Sequence, residues 1–349
     1  VATTANGHGE EVLKFTPYSS AVALAASASV VCGRASYVLD LKGPCLSVDT
    51  ACSSSLVALH AARSMICAQD MHESFVCGSL VLKQGTSLCL HHAGMFASDG
   101  RCKTLDARAD GYVRCEGCVV TYVSHCAEDA AGSLLQSSAM NQDGRASSLT
   151  APNGPSQSKV ISRSRAGCPS GFEERFELHG TGTALGDPIE MAALHGALTA
   201  SLEPDGRPDA VHVASSKTIT GHGEVIAGLV GVANALQAMS RRWSSHFLNL
   251  RDVNLQVVAA AFTEVKRQKC QLLFSRQSRG VSGAPKQSRT GISSFAFQGT
   301  NAHSVLATGS GPRRVEGGEG RHPEVLRRPV HAAGAAGRLP VGPAPRRLD

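Results

Sequence analysis

One cysteine lies between a short apolar run and three serines in the stretch SVDTACSSSL, residues 47–56. Cys52 could be a small buried residue, half of a disulfide, a metal ligand or a nucleophile. The preceding residues CLSV indicate a strand, and residues 53–67 place apolar side chains at helical spacing. Cys52 is therefore expected at a helix N-terminus, where unpaired N–H groups and the helix dipole favour a thiolate. This position favours the nucleophile.

A second loop combines histidine with glycine. His179 follows the strand candidate that begins RFEL and opens the stretch HGTGTALGDPIE, whose glycines allow a close approach of backbone to a ligand. Asp187, Pro188 and Glu190 match the N-cap, first and third positions of a helix, so both carboxylates are expected to be structural. The glycine spacing differs from that of a dinucleotide-binding loop.

A third loop, SSKTITGHGEVIAG, holds Lys217 and His222 between an apolar strand and a helix. The shared loop and the flanking glycines favour a functional interpretation over two solvated side chains. In a fourth stretch, GISSFAFQGTNAHSVL, Phe295 and Phe297 precede a Gly-Thr-Asn turn. This stretch predicts a buried hairpin, in which His303 is structural.

The composition is that of a globular protein, with 42% hydrophobic and 18% charged residues among 349. No apolar run is long enough for a transmembrane helix, and Glu10 and Glu11 lie where a signal peptide would be basic. The net charge is +6, but residues 307–349 hold eight Arg and only four acidic residues, which leaves +2 for the rest. With 4% aromatic residues, the chain is not expected to bind nucleic acid.

The twelve cysteines lack the spacing of a small disulfide scaffold. Cys115 and Cys118 form an isolated C-x-x-C pair, which is weak evidence for zinc without a second pair. We therefore expect buried, reduced thiols, no metal site and a cytoplasmic protein.

The chain alternates strand-like runs, turns and helix-like segments, which predicts α/β layering. The strand candidates are CLSV, SFVCGSLVL, RFELH, VHVAS and GISSFAF, and the helix candidates are residues 53–67, 188–198 and 224–239. Residues 307–349 are rich in Gly, Pro and Arg without any period, which predicts a disordered tail.

Four stretches in this order, VDTACSSSL, HGTGTALGDPIE, KTITGH and SSFAFQGTNAH, resemble the β-ketoacyl synthase (ketosynthase) domain of polyketide synthases. The resemblance runs from Gly33 to Leu306. It implies a thiolase-like α/β fold, in which two similar halves form five layers, αβαβα. On this basis we expect a divergent segment over residues 1–32, a ketosynthase domain over 33–306 whose first half is incomplete, and the tail over 307–349.

The resemblance also implies roles for the loop residues. Cys52 would accept an acyl chain from a carrier-protein thioester. His179 and His222 would assist decarboxylation of a malonyl-type extender and stabilise the enolate, while Lys217 organises the histidine region. The product would be a β-ketoacyl thioester.

Further implied roles concern the surroundings of Cys52. The backbone N–H groups of Cys52 and Phe297 would form an oxyanion hole, and Phe297 would also gate the pocket. Thr181 and Thr183 would bind a phosphopantetheine arm. The implied partners are an acyl carrier protein, a second copy of the chain in a homodimer and other polyketide synthase domains, with no cofactor held by this domain. Gln298 occupies a position that is generally small in the family.

Two alternatives remain beside the elongating enzyme. A thiolase-type enzyme would use coenzyme A and a second cysteine, but the last motif is GTNAH, and Cys270 alone follows Cys168. A non-elongating partner would bind carrier protein or dimerise without condensing. The presence of Cys52, His179 and His222 together argues against it.

Overall fold

The computed structural model describes residues 27–125, 132–168, 173–200, 210–241, 243–244, 246–261, 271–274, 279–280 and 288–308. All of them fall in the first of two compact units, residues 1–311. Three parts of the sequence predictions therefore lie outside the described residues: most of the segment 1–32, Cys270, and all but two residues of the tail 307–349.

The elements alternate along the chain as expected for an α/β protein. The helices are α1 Ala28–Leu39, α2 Ser54–Cys67, α3 Gln84–His92, α4 Gly154–Ala166, α5 Gly186–Ala200, α6 Lys217–Thr220, α7 Ala227–Arg241 and α8 Leu255–Ala261. The strands are β1 Glu73–Leu80, β2 Gly117–Ser124, β3 Ser133–Gln142, β4 Arg175–Glu177, β5 Ala210–Ala214, β6 Trp243–Ser244, β7 Gln271–Phe274, β8 Arg279–Gly280, β9 Arg289–Phe295 and β10 Thr300–Thr308.

The main sheet has six strands in the order β3-β10-β9-β4-β5-β7. Strand β10 is antiparallel to β3 and β9, whereas β9, β4, β5 and β7 run parallel. Because the carboxyl ends of parallel strands meet at one edge, the loops after β4, β5 and β9 gather there. These are the loops that contain His179, Lys217 with His222, and Phe297.

Helices cover both faces of this sheet. Helices α4, α5 and α8 enclose one core around Val160, Met191 and Phe176. Helices α2 and α7 pack on the opposite face around Leu56 and Leu229, and their other side contacts the small β1-β2 sheet. The described residues thus form four successive layers, αβαβ.

Most predicted elements are confirmed. Strands β1, β4, β5 and β9 overlap their candidates, and the three predicted helices correspond to α2, α5 and α7. The strand predicted at CLSV is wrong, because residues 45–48 have no ladder partner among the described strands. There Val48 packs against the α2–α7 core instead.

Candidate active site

Cys52 lies in a 3-10 turn, Ala51–Ser53, immediately before α2. Ala51 has φ +53°, a left-handed conformation that costs a non-glycine residue about 1–2 kcal/mol. The Ser54 hydroxyl accepts a hydrogen bond from the Thr50 N–H at 2.9 Å and donates to the Ala51 carbonyl at 2.6 Å. The Ser53 hydroxyl donates to the Thr50 carbonyl at 3.0 Å. The serines beside Cys52 therefore stabilise the strained turn that presents it.

Three of the sequence-predicted residues meet at this turn. The Sγ atom of Cys52 lies 3.1 Å from Nε2 of His222. The rings of His179 and His222 are nearly perpendicular, with centroids 5.4 Å apart. A thiol, a base within hydrogen-bond reach and a second imidazole beside it are therefore assembled in one place.

Both histidines are neutral at physiological pH. Burial lowers the pKa of each imidazole well below its usual value, and the charge of Lys217 lowers it further. The Nδ1 atoms of His179 and His222 have no hydrogen-bond partner within the described part of the chain. Neutral imidazoles can accept a proton on one nitrogen and donate a hydrogen bond from the other.

The thiol of Cys52 is protonated in the absence of substrate. Burial, and then the charge of Glu224, raises its pKa to about 12, and the opposing effect of Lys217 is smaller. The expectation of a thiolate stabilised by the helix N-terminus is therefore wrong for the unliganded site. Desolvation is the largest influence on the thiol at this position.

Lys217 begins α6 and is 4% exposed. Its charge lowers the pKa of Cys52 and of both histidines, so it lies close enough to influence all three. It forms no ion pair within the ranges that the structure describes. Lys217 thus influences Cys52 and both histidines through its charge.

Strand β9 and the turn after it are hydrogen-bonded to the Cys52 turn. The Ser294 hydroxyl donates to the Cys52 carbonyl at 2.7 Å, and the Gln298 amide donates to the Thr50 carbonyl at 3.2 Å. The backbone N–H groups of Cys52 and Phe297 hydrogen-bond to the sulfur and lower its pKa. Two backbone N–H groups from different loops therefore face the Cys52 sulfur.

The loop that holds His179 is fixed by two buried carboxylates. The Glu190 carboxylate accepts hydrogen bonds from the His179 and Gly180 N–H groups at 2.7 and 2.8 Å. The Asp187 carboxylate accepts from the Gly182 N–H at 3.2 Å. Since α5 begins at Gly186, Asp187 is not its N-cap, and that prediction is wrong. Both carboxylates position the loop rather than cap the helix.

A cavity of about 460 Å³ opens onto Cys52 and both histidines. Thr181 and Thr183 line it, with their hydroxyl oxygens 3.5 Å apart. A side chain at Gly182, which has φ +83°, would place its Cβ only 2.7 Å from the Lys103 N atom. The glycine is therefore required for the close approach of this loop to its neighbour.

Two contacts next to the His222 loop were not predicted from the sequence. The Tyr112 ring lies edge-on to the His222 ring, with centroids 5.0 Å apart. The Arg114 guanidinium forms a two-point ion pair with Glu224 at 2.6 and 2.9 Å. These contacts join positions more than a hundred residues apart, and no local pattern in GYVRCEG indicates them.

The remaining sequence predictions concern cysteines, metals and membranes. The ten cysteines of the described ranges are free thiols, and Cys118 is exposed. In those same ranges no group of three or more His, Cys, Asp or Glu could hold a metal ion. None of the described helices is long and apolar enough to cross a membrane.

Family models and curated relatives agree on one family. The model for the β-ketoacyl synthase N-terminal domain matches residues 2–127, and that for the C-terminal domain matches residues 133–251. The chain is 34% identical over 302 residues to a phenolphthiocerol/phthiocerol polyketide synthase of Mycobacterium tuberculosis, covering 84% of this chain and 13% of that protein. It is 36% identical over 290 residues to the erythronolide synthase EryA3 of Saccharopolyspora erythraea, covering 80% and 9%.

Solved structures that resemble the chain are also ketosynthases. A ketosynthase from module 6 of the bacillaene synthase of Bacillus subtilis superposes with a TM-score of 0.74 at 28% identity, over 88% of this chain and 53% of that one. An oxazolomycin ketosynthase domain from Streptomyces albus gives 0.75 at 28%, over 89% and 55%. The chain thus spans about half the length of these ketosynthases and less than a fifth of the two curated relatives. It belongs to the β-ketoacyl synthase family, with a thiolase-like fold and the ketosynthase domains of polyketide synthases as its relatives.

Proposed function

We propose that this chain is the chain-elongating ketosynthase of a polyketide synthase. Cys52 takes an acyl group from a carrier-protein thioester and then condenses it with a malonyl-type extender. The observation that supports this best is the 3.1 Å contact between Cys52 Sγ and His222 Nε2, with His179 against the same imidazole. A nucleophile, a base and a second hydrogen-bond donor are the groups that this reaction requires.

The first step is acyl transfer. His222 Nε2 takes the thiol proton as Cys52 Sγ attacks the carbonyl carbon of the thioester. The oxygen that becomes negative receives hydrogen bonds from the backbone N–H groups of Cys52 and Phe297. The bond to the carrier sulfur then breaks, and that thiolate leaves with the proton held by His222.

The second step is decarboxylative condensation. The bond between the carboxylate and the α-carbon of the extender breaks, carbon dioxide leaves and the electron pair forms an enolate. Neutral His179 and His222 donate hydrogen bonds to the enolate oxygen, which is stabilised without metal or redox chemistry. The α-carbon attacks the Cys52 thioester, and the released Cys52 thiolate regains a proton that is drawn ultimately from solvent.

The lowered pKa values of the two histidines suit these steps. An imidazole that remains neutral at pH 7 can act as a base toward the thiol and as a donor toward the enolate. Lys217 assists by keeping protons off both rings, as its effect on their pKa values indicates. This positioning by charge is the role that we assign to Lys217.

The partners follow from the same chemistry. The acyl and malonyl groups would arrive on the phosphopantetheine arm of an acyl carrier protein in the cytoplasm, and Thr181 and Thr183 would hydrogen-bond that arm. We further propose that residues 33–306 form the ketosynthase domain and that it functions as a homodimer beside other synthase domains. Phe297, which is half exposed, would gate the cavity of this domain. The assembled Cys52–His222 pair favours elongation over a non-elongating role.

The test is a condensation assay. The chain is incubated with an acyl-loaded and a malonyl-loaded carrier protein, and intact mass spectrometry follows the β-ketoacyl carrier product. We expect product with the wild-type chain and none with Cys52→Ala. Acylated Cys52 without any β-ketoacyl product would instead support the non-elongating alternative.

A further inference from the structure

Two amide side chains leave hydrogen-bonding atoms unpaired at the edge of the active-site cavity. Asn301 is 1% exposed and Gln157 is 3% exposed, and both line the cavity that holds Cys52. Asn301 Oδ1 and Gln157 Oε1 have no hydrogen-bond partner in the part of the chain that the structure describes. A buried acceptor without a partner is destabilising, so its presence beside a cavity points to a ligand.

The orientation of the Asn301 amide is fixed by its neighbours. Its Nδ2 donates to the Asn141 Oδ1 at 3.1 Å and to the Asp143 Oδ1 at 2.7 Å. Asn141 is itself held, because its Nδ2 donates to the Ser156 carbonyl at 2.8 Å. Rotating the Asn301 amide by half a turn would place its oxygen against two other oxygens. The unpaired atom is therefore an acceptor.

The same acceptor lies on the sheet face of Phe295, the residue whose ring is next to that of His179. Asn301 is the cross-strand partner of Phe295, so their side chains project from the same face of the sheet. The Phe295 ring is 5.9 Å from the His179 ring, and both residues line the cavity. A group bound to Asn301 would therefore share the cavity with the reacting thioester.

The side-chain amide of Gln157 is a second unpaired hydrogen-bonding group in the wall of the same cavity. Gln157 lies in the first turn of α4, where its backbone N–H bonds the Asn153 carbonyl at 3.0 Å. Its side-chain amide takes part in none of the hydrogen bonds formed among the described residues. One primary amide offers both a donor and an acceptor, so Gln157 can bind a polar group in either direction.

The geometry points to a hydrogen-bonding subsite, formed by Asn301 Oδ1 and the Gln157 amide, for a hydroxyl or amide N–H group of the thioester substrate. Asn301 requires a donor, and a hydroxyl or a secondary amide supplies a donor and an acceptor together. The donor could come from a hydroxyl on the acyl chain or from an amide of the arm that delivers it. This inference rests on the proposed function, because the ligand is the substrate of Cys52.

The experiment compares two matched pairs of thioesters as acyl donors to Cys52 in the wild-type chain, with initial rates measured by intact mass. In the first pair, hydroxybutyryl and butyryl groups are both carried on N-acetylcysteamine. In the second pair, butyryl is carried on N-acetylcysteamine or on an alkanethiol of the same length without the amide. We expect the donor-bearing member of one pair to react about tenfold faster, because its analogue leaves buried acceptors unpaired. The pair that shows the difference identifies the source of the donor.

A matched substitution tests whether Gln157 forms part of the subsite. Gln157→Met removes both hydrogen-bonding atoms at similar size, and the rate ratio of the selective pair should fall to below about threefold. Gln84→Met, at an exposed position of α3, should leave the ratio unchanged. Equal rates within both pairs, on a wild-type chain in which Cys52 is acylated, would overturn the subsite and indicate that water satisfies these atoms. Absence of acylation with every thioester would instead contradict the proposed function. The wild-type comparison is decisive even where Gln157→Met does not fold.

Discussion

The Sγ atom of Cys52 lies 3.1 Å from Nε2 of His222, and both groups are uncharged at rest. Burial raises the pKa of the thiol to about 12, while burial and Lys217 lower the pKa of the imidazole. A thiolate–imidazolium ion pair is therefore disfavoured before substrate binds. In the proposed mechanism, the nucleophile therefore forms only when His222 takes the proton during attack on a thioester.

The first prediction concerns the reactivity of Cys52 toward iodoacetamide. Since the thiolate is the reacting form, Cys52 should be alkylated at pH 8 at least about tenfold more slowly than exposed Cys67 or Cys89. Its rate should still rise about tenfold per pH unit at pH 10, because its pKa lies above that value. Peptide mapping after timed alkylation measures each site. A rate for Cys52 that is already constant below pH 8 would show that an ion pair exists at rest.

The second prediction separates the two histidines. His222→Ala should slow acylation of Cys52 about 100-fold or more, because general-base assistance to the thiol is lost. His179→Ala should leave acylation within about fivefold of wild type but reduce condensation about 100-fold, because one donor to the enolate is removed. Single-turnover mass spectrometry with loaded carrier proteins measures both steps. Equal loss of acylation in the two variants would refute the division of roles.

The third prediction concerns Gln298, whose side chain links the Phe297 turn to the Cys52 turn. Its amide donates to the Thr50 carbonyl at 3.2 Å and its oxygen accepts from the Thr300 N–H at 3.2 Å. Gln298→Ala should lower the free energy of unfolding by about 1 kcal/mol and slow acylation several-fold, because the Phe297 turn loses its link to the Cys52 turn. Denaturant titration and acylation rates measure the two effects.

The matched variant Gln298→Glu distinguishes the two hydrogen bonds of Gln298. It retains an acceptor for the Thr300 N–H but cannot donate to the Thr50 carbonyl when ionised. It should therefore slow acylation as Gln298→Ala does. Wild-type acylation rates in both variants would show that the link to Thr50 is dispensable.

The fourth prediction concerns stability at acid pH. His303 is fully buried, its Nδ1 lies 3.0 Å from the Ser293 hydroxyl, and burial lowers its pKa to about 3. Because the folded-state pKa lies below the unfolded value of about 6.5, the unfolded chain binds the proton first, and stability falls as the pH drops through 6.5. The contribution of His303 between pH 7.5 and 5 should be about 2 kcal/mol.

His303→Asn provides the control, because its amide can replace Nδ1 beside Ser293 but does not titrate. Denaturant unfolding at the two pH values should show a decrease that is about 2 kcal/mol smaller than in wild type. Other histidines whose pKa is lowered by burial, such as the partly buried His212, contribute equally to the decrease in both proteins. An identical decrease in wild type and variant would contradict the assignment to His303.

The sequence predicted those elements whose own pattern is strong. Helices α2, α5 and α7 bury several apolar residues at helical spacing, and β9 is a continuous buried run. Helix α4 lacks that pattern, because Val160 and Ile161 are adjacent among Ser, Arg and Lys residues. It is stabilised by an N-cap from Asn153 to the Ser156 N–H at 3.2 Å and by packing against α5. Tertiary context, rather than propensity, decides such a segment.

The sequence predicted which loops contribute the site residues, but it did not predict the protonation states of those residues. Residue types and the family resemblance identified Cys52, His179, Lys217 and His222, although the strand expected before Cys52 is not formed. The protonation of Cys52 depends on burial and on the charge of Glu224, which no local pattern reveals. The contact of Tyr112 with His222 likewise exists only after the chain has folded.

The measurement that tests the central claim most directly is acyl transfer to Cys52. The folded chain is incubated with an acyl-loaded carrier protein, and intact mass and peptide mapping locate the acyl group, with Cys52→Ala in parallel. A single adduct on the peptide that contains Cys52, absent from Cys52→Ala, is the predicted result. A folded chain that gains no adduct, or that gains the same adduct after Cys52→Ala, would contradict the assignment of Cys52 as the acyl-accepting nucleophile.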